Sequence, residues 1–113
     1  WVLVNFFSTT CVPCIVEHPE LVAFAEAHAD ADDVRIVSVA FDDSAAAVER
    51  FFREQGGGWP VLAAGTGHIA VDWGVIAVPE SYLVSPSEHV AAKVIGGVKA
   101  DELEALLAEA SGS

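Results

Sequence analysis

The sequence predicts an α/β fold: a mixed central sheet flanked by helices on both faces. Three observations carry that prediction. Apolar, β-rich runs of strand length recur at residues 2–7, 34–41, 81–84 and 90–95. The stretches between the first three show helical periodicity, and a tight turn at Ser85-Pro86-Ser87 joins the last two. Strands joined through a helix pair in parallel and a hairpin pairs antiparallel, so the sheet is mixed and its crossover helices cover it.

Each element has its own signal. Val2-Leu3-Val4-Asn5-Phe6-Phe7 is a buried strand, β-branched and aromatic, and Ser8-Thr9-Thr10 supplies a turn with N-cap residues. Leu21, Phe24, Ala25 and His28 then mark one face of a helix that dissolves in the acidic turn Asp30-Ala31-Asp32-Asp33. After the second strand, Asp42, Asp43 and Ser44 cap a helix with Val48, Phe51, Phe52 and Gln55 on one face. Gly56-Gly57-Gly58 ends it. Pro60-Val61-Leu62-Ala63 reads as a short edge strand, its proline placed where a missing donor is tolerable. Residues 66–74 form a short helix, the hairpin follows, and Gly96-Gly97 breaks its second strand. Leu103, Leu106, Leu107 and Ala110 make the apolar stripe of a closing helix.

The 113 residues suit one domain, with no linker or internal repeat. Seventeen acids against five bases give a net charge of −12, which excludes nucleic acid as a partner because phosphates demand a basic footprint. No apolar run approaches the roughly 18 residues of a membrane span. Trp1-Val2-Leu3-Val4 opens directly on a strand with no polar lead-in, so the expectation is a chain cut from something longer, lacking an N-terminal segment.

Cys11 and Cys14 are the only sulfur atoms, since methionine is absent. Cys11-Val12-Pro13-Cys14 sits where a strand hands over to a helix. There the orphan N–H groups and the helix dipole stabilise a thiolate on Cys11, lowering its pKa from about 8.5. One helical turn brings Cys14 close enough to resolve a mixed disulfide, and Pro13 in the first turn loses no hydrogen bond. A metal half-site would need two more ligands, and the four histidines show no H-x₃₋₅-H spacing. A structural clasp across so short a loop would add little stability. The redox reading accounts best for the placement; the metal and clasp readings stay open beside it.

The strand followed by Cys11-Val12-Pro13-Cys14, with Pro19 five residues beyond Cys14 and Val78-Pro79 before a strand, resembles the thioredoxin-like superfamily over essentially the whole chain. The resemblance implies a thioredoxin fold with a kink at Pro19 and a cis Val78–Pro79 bond facing the cysteines. On the residues alone cis and trans stand about even, X–Pro being the one bond where cis costs only about 0.5–1 kcal/mol. Asn5 stands where thioredoxins resemble one another in having a buried Asp. Glu17, three residues after Cys14 on the same helical face, is the replacement acid or else a solvated helix glutamate. Glu80, directly after Pro79, is the second candidate.

The strings Cys11 to Pro19 and Gly74 to Val84 resemble the TlpA-like reductases of the DsbE (CcmG) type, as does a central insertion over residues 60–74. That likeness implies catalytic roles for Cys11, Cys14, Glu17, Pro79 and Glu80, with Val78, Thr10 and Pro13 contacting substrate. It implies an extracytoplasmic, membrane-tethered reductant with no cofactor beyond its own disulfide. The substrate would be a protein disulfide such as an apocytochrome c or its chaperone, and a membrane thiol reductase would supply electrons. Two carboxylates beside a thiolate disfavour it, which suits a restrained reductant. Thr10 replaces the family's usual Trp, changing the docking surface. His18 is expected on the helix surface, and His28, His68 and His89 build no site. The rivals are a Cu(I)-handling chaperone of this fold, which calls for Cys-x₃-Cys and a third ligand, and a disulfide oxidant or isomerase.

Overall fold

Nine elements follow one another in the computed structural model, which describes residues 1–112. They are β1 (Val2–Phe7), α1 (Val12–Ala27), β2 (Arg35–Ala40), α2 (Ala45–Gln55), β3 (Val61–Leu62), α3 (Gly67–Asp72), β4 (Glu80–Val84), β5 (Val90–Ile95) and α4 (Ala100–Ser111). The strands lie in the order β3-β2-β1-β4-β5. β1 pairs parallel with β2 and antiparallel with β4, while β2–β3 is parallel and β4–β5 antiparallel. The sheet is mixed, as the sequence predicts.

Strand alternation sorts the side chains. Leu3, Asn5 and Phe7 share a face with Ile36, Ser38 and Ala40 of β2 and with Ser81 and Leu83 of β4. On that face Leu3, Ile36 and Leu83 pack with Leu21 and Phe24 of α1 and Leu103 and Leu107 of α4. Phe7 and Ala40 pack with Val48 and Phe51 of α2 under the start of α1. The opposite face sets Phe6, Val39 and Tyr82 against Ala70 of α3. Helices therefore cover both faces.

Ser44 caps α2, its hydroxyl accepting from the Ala47 N–H at 3.1 Å. The turn after α2 requires glycine. Gly57 sits at φ +104°, and a Cβ there would stand 3.1 Å from carbons of Phe52 and Trp59.

At its far end α1 is tied to α4 through His28, which bonds Asp33 Oδ1 at 2.7 Å and a Glu104 carboxyl oxygen. Burial disfavours the imidazolium, but Glu104 and Asp33 outweigh it and hold the His28 pKa above its ordinary value. The raised pKa makes this stabilisation full below about pH 6.5 and lost as pH rises through the folded value. Thermal melts of wild type and His28→Gln should therefore differ most near pH 5.5, with the difference narrowing as pH rises. A difference that does not change with pH would contradict the assignment.

Candidate active site

The site begins at the end of β1. The turn Ser8-Thr9-Thr10 is fastened to the loop before α2: Thr9 donates its N–H and its hydroxyl to Asp43 Oδ2, each at 2.7 Å. Burial opposes ionisation of Asp43, yet the bonds from Thr9, Ser44 and Ser8 hold its carboxyl below the usual range. Thr10 is exposed and hydrogen-bonds Ser8 through its hydroxyl at 3.1 Å.

Cys11 is the N-cap of α1, and the Cys14 N–H donates to its Sγ at 3.3 Å. That bond, with the helix dipole behind it, favours a thiolate on Cys11 over one on Cys14. The two cysteines form a disulfide with a Cα–Cα distance of 5.2 Å. They are not equivalent. Cys11 is partly exposed, while Cys14 is buried against Phe7, Ala40, Val48 and Phe51. Pro13 is exposed beside them, and Pro19 lies inside the helix.

Opposite stands the Val78–Pro79 bond, which is cis. The Val78 carbonyl oxygen lies 3.6 Å from Cys11 Sγ. Glu80 shapes this loop from beneath. It is fully buried, its Oε2 accepts from the Ile76 and Ala77 N–H groups at 3.0 and 3.3 Å, and its Oε1 accepts from Tyr82 at 2.8 Å. Lys93 Nζ stands 3.6 Å away. Burial would raise the Glu80 pKa, but these donors and the lysine outweigh it and hold it low. Replacing Glu80 with Ala orphans two backbone donors and a phenol. It should cost about 2–4 kcal/mol of stability and speed amide exchange at Ile76 and Ala77. Unchanged exchange at those two amides would count against the brace.

Glu17 is where the sequence reading becomes specific. It is 2% exposed, not a solvated helix glutamate. Its Oε1 accepts from Asn5 Nδ2 at 2.6 Å, while Oε2 has no hydrogen-bond partner among the described residues. A Cβ on Gly97 would lie 3.8 Å from the Pro13 carbonyl and 4.0 Å from Glu17 Oε2, so the free oxygen borders the Cys-x-x-Cys turn. Burial raises the Glu17 pKa to about 7, against smaller opposing pulls from Asn5 and the Val98 backbone.

The expectation that both acids flank the thiols needs correction. Asn5 pairs with Ser81 and Phe6 with Glu80, so Glu80 lies on the α3 face while Glu17 meets the sheet on the α1 face. His18 also departs from expectation. It is 3% exposed, bonded through Nε2 to the Gly56 carbonyl at 2.8 Å and enclosed by Phe51, Phe52 and Trp59. Burial lowers its pKa despite the Gly56 bond, so it is a neutral link between α1 and the turn after α2. Asp43, expected only as a helix cap, also fastens the Thr9 turn, and the roles of Ser38, Ser81, Tyr82 and Lys93 escaped the sequence; strand alternation about Asn5 is the signal that places Ser38 and Ser81 beside it. Among the described residues no group of three or more His, Cys, Asp or Glu gathers to hold a metal, and no helix is long and apolar enough to cross a membrane.

The chain is similar to known proteins in sequence and in fold. HelX of Rhodobacter capsulatus, a thiol:disulfide interchange protein, is 32% identical over 100 residues, covering 88% of this chain and 54% of that protein. CycY of Rhizobium leguminosarum, of the same description, is 35% identical over 95 residues, covering 83% and 49%. The chain thus spans about half the length of the curated relatives it matches. Among solved structures, MTB DsbF in mixed oxidised and reduced forms superposes with a TM-score of 0.84 at 25% identity, over 96% of this chain and 79% of that one. StoA from Bacillus subtilis shares the fold, with a TM-score of 0.81 at 24% identity over 94% and 81%. The Redoxin family model matches residues 1–107. The fold is thioredoxin-like, and the chain belongs to the Redoxin family.

Proposed function

We propose that this domain is a thiol–disulfide oxidoreductase that reduces specific protein disulfides outside the cytoplasm, in the manner of cytochrome c maturation. One observation carries the reading: an accessible Cys11 on a helix N-terminus, backed by buried Cys14 and faced by the Val78 carbonyl at 3.6 Å. The relatives' names, thiol:disulfide interchange proteins, support the activity, and resemblance supports an apocytochrome c or its chaperone as substrate.

The chemistry balances without a cofactor. In the reduced protein the Cys11 thiolate attacks one sulfur of the partner disulfide, forming a mixed disulfide and releasing the other sulfur as a thiolate. Glu17 takes the proton of Cys14, and the Cys14 thiolate attacks Cys11 Sγ. The Cys11–Cys14 bond forms, the partner leaves as a dithiol, and two electrons have moved. A membrane dithiol reductase returns the domain to its reduced form by the reverse exchange. Val78 offers its backbone to an extended substrate strand beside Pro79, and Thr10 and Pro13 complete the contact surface. Glu80 holds the loop in place.

Equilibration with glutathione buffers tests the direction. A reductant stays oxidised at glutathione ratios typical of an oxidising compartment, because its disulfide resists that pool. Ready reduction by glutathione would move the protein to the oxidant class. Retention of Cu(I) against a strong chelator, without disulfide exchange, would favour copper handling instead.

A further inference from the structure

Asn5, Ser38 and Ser81 stand side by side across the three central strands, each at least 98% buried, on the face that carries α1. A polar row inside a core is costly unless every member finds a partner. Here the partners form a chain. Trp59 Nε1 donates to Ser38 Oγ at 2.8 Å, and Ser38 donates to Asn5 Oδ1 at 3.5 Å. Asn5 Nδ2 donates to Glu17 Oε1 at 2.6 Å and to Ser81 Oγ at 3.1 Å. Trp59 is delivered by the glycine turn after α2, its ring packed on His18 and Phe52 at centroid distances of 5.4 and 5.5 Å.

We propose that Trp59 is a positioning residue for the Cys11–Cys14 pair: its indole N–H sets the donor–acceptor direction of the chain through Ser38 and Asn5, and so fixes which oxygen of Glu17 exchanges a proton. The proposal rests on the proton-accepting role given to Glu17 above. Indole is a donor only, so Ser38 must accept from it. The Ser38 hydroxyl proton then goes to the acceptor in reach, Asn5 Oδ1, which turns the Asn5 amide N–H groups toward Glu17 and Ser81. Reversing Asn5 would set its carbonyl against Glu17 Oε1 at the same short distance, which only an acid protonated on Oε1 tolerates. With Trp59 in place, Oε1 is an acceptor and the proton comes and goes at Oε2, the oxygen beside Gly97 and Pro13.

The Val98 backbone also favours the Glu17 carboxylate, but the other side chains around Glu17 do not supply this polarity. Cys14 lies one turn back on α1 and is disulfide-bonded. His18, next in the helix, gives its Nε2 to Gly56. Glu20, Lys99 and Glu102 border the groove between α1 and the start of α4. Glu20 Oε1 accepts from the Ala100 N–H at 2.9 Å, and Glu102 Oε1 from the Lys99 N–H at 3.1 Å.

Trp59→Phe keeps an aromatic ring in the His18 cage and deletes the donor together with part of the ring's packing area. The carboxyl pKa of Glu17, read from its side-chain carbon resonance in the oxidised protein, should rise by about 0.4, the size of one lost cooperative link to a charge-assisted bond. Ser38→Ala should raise it at least as much. The double variant should match Ser38→Ala alone, because Trp59 then has nothing to act through. Superimposable Glu17 titrations for wild type and Trp59→Phe, or full additivity in the double variant, would overturn the proposal. Thiol alkylation of the reduced proteins separates the two readings. A shifted Glu17 with unmoved thiols upholds the relay and removes Glu17 from the redox chemistry, whereas shifted thiols with an unmoved Glu17 reject the relay itself.

Discussion

Cys14→Ser will accumulate stable mixed disulfides with protein substrates through Cys11, and Cys11→Ser will accumulate none. Both variants will lose turnover. The asymmetry follows from position. Cys11 is partly open to solvent, and its sulfur accepts the Cys14 N–H at 3.3 Å on the dipole end of α1, so its thiolate forms and can be reached. Cys14 is 3% exposed and walled by Phe7, Ala40, Val48 and Phe51, so its sulfur reaches only the one beside it. Serine at 14 removes the resolving nucleophile and leaves the first covalent step intact. Serine at 11 removes that step. Non-reducing electrophoresis of each variant after exposure to a disulfide-bonded partner reads the difference. Mixed disulfides carried by Cys11→Ser would reverse the assignment.

The strands and helices were legible because each is decided locally: β-branched runs for β1 and β2, an apolar stripe for α4, three glycines after α2. The cysteine pair was legible because its spacing and its place at a helix start together carry the chemistry. What escaped is decided between elements. That Glu17 is buried depends on Asn5 lying under α1, which needs the register of β1 and the packing of the helix at once. His18 looks like a surface residue on a helix with one apolar stripe. It is enclosed because α2 packs beside α1 on the same sheet face and its glycine turn folds Trp59 over the ring. Glu80 and Glu17 look equivalent as acids near a redox pair. Strand alternation separates them, because Glu80 pairs with Phe6 and one residue further on Ser81 pairs with Asn5. Glu80 then meets backbone donors and a lysine, while burial outweighs what Asn5 and the Val98 backbone offer Glu17. The same chemical group is left with a lowered pKa in one place and a raised one in the other.

Glu17→Gln should make the oxidised protein more stable at neutral to alkaline pH and lower the apparent pKa values of the reduced thiols. Burial lifts the Glu17 carboxyl from 4.5 to about 7, so an unfolded chain ionises it well before the folded protein does. The stabilisation tied to its neutral form is full below pH 4.5 and lost as pH rises through about 7. A difference of that size corresponds to on the order of 3 kcal/mol across the window. Glutamine keeps the volume and leaves an oxygen for Asn5, but carries no charge to desolvate. Urea unfolding should therefore show the variant ahead of wild type at pH 8, by about 1–3 kcal/mol after relaxation of the site, with the advantage gone near pH 4. In the reduced protein a thiolate loses a repulsive neighbour, so alkylation should reach its plateau at lower pH. The resolving step loses its proton acceptor, so mixed disulfides should persist longer than in wild type although Cys14 is present. Stability without reactivity would leave Glu17 a buried acid and nothing more. Alkylation curves that superimpose, with unchanged mixed-disulfide lifetimes, would remove it from the mechanism even if the urea experiment succeeds.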